Sequence, residues 1–233
     1  DLDVDAGGAL ADGGNTIAVD GTGSFATTGN GSNITLTGLD VGGVVDVNTA
    51  ATSNATLTNV GGVEFSASAT STVNGDLTVT AGGDITDASG ATLVVTGLSD
   101  LTATGSNIVL GDNTDTTNFG SLNVAGTTVT ITEDSSTELA DVDATTLTLV
   151  SGGAITQTGG LSVSGVATLT APGSSITLGD GSNDFGTVTI GGTTTTSVTL
   201  ADTNGLNLGG LDITGDLDVD AGGALADGGN TIA

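Results

Sequence analysis

Lysine, arginine and histidine are absent from all 233 residues, and so are cysteine, methionine, tryptophan and tyrosine. Each absence removes a class of function. Without imidazole or amine, a serine or threonine nucleophile has no neighbouring base, and a polysaccharide-cleaving site has nothing to neutralise a uronate. Nucleic acid and anionic membrane surfaces are excluded as partners by the sign of the charge, which is −27. No disulfide framework stabilises the fold. No apolar run approaches the ~18 residues of a spanning helix, so membrane insertion is not expected. No charged leader precedes an apolar stretch.

What is present is apolar and small. Hydrophobic residues make up 36% of the chain against 12% charged, with 41 glycines. A disordered acidic tail has the opposite balance, so the chain is expected to fold. Residues 216–233, DLDVDAGGALADGGNTIA, repeat residues 1–18 letter for letter, which gives a period of 215 residues and reads as a cut from a tandem array. Within the period, glycine pairs recur in AGGAL at Ala6, AGGDI at Ala81, SGGAI at Ser151 and AGGAL at Ala221. A second landmark recurs as GSNIT from Gly31, GSNIV from Gly105 and GSSIT from Gly173. The chain is therefore read as one continuous solenoid segment of degenerate cassettes 1–75, 76–145 and 146–215, with 216–233 opening the next identical repeat.

Apolar positions alternate before each glycine pair, as in Leu2 and Val4, Leu77 and Val79, Leu147 and Leu149, and Leu217 and Val219. Alternation with period two marks a half-buried strand, and no helical period occurs. Gly-Gly, Asp-Gly and Asn-Gly corners separate the short strands, where positive φ is tolerated. The expected fold is all-β, a right-handed parallel β-helix (β-solenoid) with three short strands and about 23 residues per coil. Its core must be thin, because Phe25, Phe65, Phe119 and Phe185 are the only aromatics. No single coil offsets its own ordering entropy of ~1–2 kcal/mol per residue, so stability has to come from stacking.

The segments GSSITLGDGSNDFGTVTIGG (173–192), SVTLADTNGLNLGGLDITGDLDVDAGGAL (197–225) and LTLVSGGAITQTGGLSVSGVATLTAPG (147–173) resemble the repeat region of filamentous haemagglutinin-like exoproteins. These are the bacterial two-partner-secretion adhesins and related β-strand-repeat giants. The resemblance implies a right-handed parallel β-helix in a long filament or adhesin shaft, extracellular or on a Gram-negative cell surface, with itself as partner through coil stacking and lateral bundling. Receptor motifs that need Arg or Lys have no counterpart in this sequence.

Charge extends that reading. Residues 1–215 carry 23 of the 27 acids. Nine coils at ~4.8 Å span roughly 45 Å, about one charge per 2 Å, close to the ~1.7 Å of duplex DNA. Such a surface is expected to bundle, or to adhere to carbohydrate or mineral, when divalent cations bridge it. Candidate ligands for Ca2+ or another divalent counterion are Asp112 with Asp115 in GDNTD and Asp180 with Asp184 in GDGSNDFG, where glycine-bearing turns bring carboxylates near one another. Neither turn matches an EF-hand loop, and corner aspartates that cap their own turns are the plainer reading. No cofactor is otherwise expected, and no enzyme. Asp141/Asp143 and Asp218/Asp220 have glycosidase-like spacing but nothing to raise one pKa. Paired threonines such as Thr78/Thr80 suggest an ice-binding face, yet Asp3 and Asp5 replace them in another copy.

Overall fold

The computed structural model describes residues 1–112 and 114–229, with Thr193 described by its backbone alone. The described residues are all-β, parallel and without helix, and stack as a β-solenoid with successive turns roughly 21 residues apart. They fall into two compact units, residues 1–120 and 121–233.

In the first unit, three ladders follow from the alternation. Leu2–Ala6 lies on Gly23–Thr27, which lies on Val44–Asn48, so that Val4, Phe25 and Val47 stack in one column. Leu36, Leu57, Val79 and Leu101 form a second column. Val63, Ile85 and Ile108 form a third. Apart from Val4, every member of these columns is buried, and its strand neighbours are more exposed except at Val47, where neighbouring Asp46 is buried as well. This is the expected one-sided burial, repeated at every turn.

The second unit repeats the scheme with a longer column, Ile131, Leu149, Leu169, Ile190 and Leu211, each on the next. Ile155, Ile176 and Val198 form another. Its turns are shorter than the expected 23 residues because strands such as Thr137–Ser151 and Leu161–Thr170 run through corners instead of stopping at them. Among the described pairings the tightest step places Leu122 on Leu139, and wide steps in the first unit place Leu10 on Ile34 and Asn48 on Thr72.

Two glycine roles separate cleanly. Gly31, Gly105 and Gly173, which open the three GS(N/S)I landmarks, all have φ of +70°, so each turn needs a residue without Cβ strain. The glycine pairs serve a different need. A Cβ on Gly82 would fall on the carbonyl oxygen of Val60 in the coil below, and one on Gly152 would meet that of Asp134. There glycine is required for close approach and not for positive φ.

Candidate metal centre

The strand Ile85–Asp87 turns Ile85 inward and Thr86 outward, which brings Asp87 back to the core side, in register with buried Phe65. A carboxylate thus ends an apolar rung. Burial pushes its pKa up to about 6, with Asp115 and Asp112 adding repulsion and the Gly111 amide opposing the rise. The Gly111 N–H donates to Asp87 Oδ2 at 2.8 Å from one coil on, while Asp87 Oδ1 is buried with no hydrogen-bond partner.

Gly111, at φ +76°, starts the turn that carries the other two acids. The Asp115 N–H donates to the Asp112 carbonyl at 3.2 Å, closing it, and Asn113 between them lies outside the described residues. Asp115 is only 9% exposed. Its Oδ1 accepts from the amides of Gly90 and Ala91 in the preceding coil, whereas Oδ2 is buried with no partner. Asp112 faces solvent. Ligand oxygens of Asp87, Asp112 and Asp115 lie within 4.8 Å of one another.

The sequence therefore pointed to Asp112 and Asp115 but not to Asp87, which lies on another strand a full turn earlier. Asp180 and Asp184 are placed differently. Asp180 Oδ1 accepts from the Ser182 amide at 2.9 Å and the Ser182 hydroxyl at 2.7 Å, which hold its pKa below the usual value. Asp184 Oδ1 accepts from Asn204 Nδ2 at 2.8 Å. Among the described residues, these two do not join a group of three acids. Asp141 and Asp143 flank buried Val142 and face solvent.

Three carboxylates offer hard oxygen and nothing soft, which suits Ca2+ or Mg2+ chemistry over that of zinc or copper. The pH behaviour of the cation-free chain follows from Asp87. A carboxyl whose folded pKa exceeds its unfolded value keeps its proton longer in the folded state. The stability that Asp87 contributes is therefore fully present below about pH 4 and is lost as pH rises through about 6. Discounted for partial solvent screening, the loss is about 1–2 kcal/mol. Asp46, raised by burial in the same unit, acts in the same direction. Urea denaturation at pH 4 and pH 7 with chelator present measures it, and the expected result is a lower midpoint at pH 7.

The corner at 87–115 also recurs along the chain. A family described as repeats of unknown function (DUF5649) matches residues 52–125, 125–192 and 195–233, so the acidic cluster and the Asp180 turn fall in successive copies of one repeat. No curated protein matches the chain. No solved structure matches it either. With most of its length matched by three consecutive copies, the chain belongs to this DUF5649 repeat family.

Proposed function

We propose that this chain is a length of structural shaft in an extracellular bacterial filament or adhesin, stabilised by stacked coils, acidic on its surface and without an active site. One observation carries the proposal. The identical segments at the two ends of the sequence use opposite edges: Leu2–Ala6 pairs with the strand that follows it, Gly23–Thr27, while Leu217–Ala221 pairs with the strand that precedes it, Val198–Asp202. An internal copy can make both pairings at once, which is what an uninterrupted array requires.

The glycine pair supports the same reading. A Cβ on Gly7 would meet nothing within 4 Å, whereas on its copy Gly222 it would meet the Thr203 carbonyl. At Gly222, where a coil lies beneath, the pair needs glycine for close approach, and a copy stacked on both sides would need it in the same way. The adhesin setting and the cell-surface location rest on the resemblance to haemagglutinin-like exoproteins and on the acidic surface. Bridging by divalent cations would let the same surface adhere; an open groove flanked by exposed Asp40, Glu64 and Asp84 favours that second use.

Chains of one, two and three 215-residue periods, imaged by cryo-electron microscopy, test the shaft. At roughly 21 residues per turn a period is about ten turns, so each should add about 50 Å of length at a constant width. Periods that appear as separate beads would overturn it.

A further inference from the structure

The corner that gathers Asp87, Asp112 and Asp115 has a counterpart in the next repeat, and the two solve the same problem with different chemistry. Gln157 follows Ser151-Gly152-Gly153 as Asp87 follows Ala81-Gly82-Gly83, and Gly179-Asp180…Asn183 matches Gly111-Asp112…Asp115. The geometry matches too. Asn183 Oδ1 accepts from the Leu161 amide at 3.0 Å, the role Asp115 Oδ1 plays for Ala91. Gln157 Oε1 accepts from the Asp180 amide, as Asp87 Oδ2 accepts from that of Gly111.

In the second repeat the corner closes itself. Gln157 Nε2 donates to Asn183 Oδ1 at 2.8 Å, and Asn183 Nδ2 donates to Gln157 Oε1 at 3.0 Å and to the carbonyls of Leu178 and Ala201. Each amide carries its own protons. In the first repeat both amides are carboxylates, which only accept. The result is two buried oxygens without a donor, Asp87 Oδ1 and Asp115 Oδ2, the latter on a side chain more than nine-tenths buried. No lysine, arginine or histidine exists anywhere in the chain to reach them. A buried acceptor left without a donor costs ~1–3 kcal/mol, more when charged.

We infer that Asp87, Asp112 and Asp115 hold one hard divalent cation, calcium by its chemistry, which takes the place of the amide pair that closes the same corner in the following repeat. Calcium binds oxygen at ~2.3–2.6 Å, so opposite ligands stand ~4.6–5.2 Å apart, and it accepts six to eight irregularly placed oxygens. The carboxylate oxygens, within 4.8 Å of one another, fit that span. Magnesium demands ~2.0–2.1 Å and near-octahedral order, which an irregular trio of acids supplies poorly. Exposed Asp112 leaves one side of the site open to water. This inference does not depend on the shaft reading: a separate globule with the same corner would bind calcium equally.

Titration calorimetry of the chelator-stripped full chain at pH 7 and physiological ionic strength tests it with calcium and magnesium as probes. One saturable calcium site is expected above the diffuse, salt-sensitive binding of the other acids, with magnesium weaker. Asp87→Gln/Asp115→Asn, which installs the amide pair, should weaken calcium binding by about tenfold or more and raise the thermal midpoint in chelator. Asp112→Asn, on the exposed side, should weaken binding with the fold intact. Three results would overturn the inference: no saturable binding to the parent chain, saturable binding unchanged in both variants, or a parent chain stabilised only by acidification, in which case the carboxylates share a proton instead.

Discussion

Replacing Asn183 by alanine is expected to destabilise the second unit by about 3–5 kcal/mol, at the upper end for a point substitution. Asn183 is fully buried in a turn that is otherwise exposed. Its side chain takes the amide of Leu161 from one coil and donates to carbonyls at Leu178 and Ala201, while its two-way bond with Gln157 ties corners 26 residues apart. Alanine leaves the Leu161 N–H without its side-chain acceptor in a place water reaches poorly, at a cost of ~1–3 kcal/mol, and strips Gln157 of both bonds to Asn183, leaving it the Gly159 carbonyl and the Asp180 amide. Urea denaturation gives the total, and hydrogen exchange at Leu161 shows whether the loss starts there. Asn183→Asp is the sharper comparison: it keeps the acceptor for Leu161 and loses every donated bond.

Phe65→Ala should cost about 3–5 kcal/mol in the first unit, the range for removing a buried aromatic ring from a core that collapses only partly. Phe65 is fully buried between Val45 below and Asp87 above. The columns on either side are held by their own backbone ladders, so the cavity cannot close by shifting one strand. The substitution also admits water beside Asp87. The rise in that carboxyl's pKa should shrink, and the variant's stability should therefore depend less on pH between 4 and 6 than the parent's. A pH series of denaturation midpoints for both chains separates the cavity, which is independent of pH, from the desolvation of Asp87, which is not.

Much of the fold could be read from the residues, because its determinants are local. Alternation set which side chains face in, and Gly31, Gly105 and Gly173 marked one turn conformation three times over. The glycine pairs were expected at corners that tolerate positive φ, but their reason is different: the carbonyl that excludes a Cβ at Gly82 belongs to Val60, a full turn away. Coil length came out shorter than expected because nothing in a run such as Thr137–Ser151 announces that a strand bends around a corner without a break. The candidate site divides in the same way. Asp112 and Asp115 share a turn and were visible together, whereas Asp87 joins them only through stacking, 25 residues from Asp112. Asp180 and Asp184 looked comparable to them because both pairs sit in a glycine-bearing turn. What separates the two turns is the residue at the end of the facing strand, Asp87 in one and Gln157 in the other, and whether position 115 or 183 carries an acid or an amide.

The variable step between stacked rungs has a consequence for how such a chain can change length. Leu122 to Leu139 and Asn48 to Thr72 are steps of unequal span, yet the side chains at both ends keep their facing. Extra residues are absorbed at bends, while one inserted within a strand would exchange its inner and outer faces. Recombination between matching bends of two copies would thus add or delete whole units and leave every remaining layer oriented as before, so the number of copies can drift while the architecture does not.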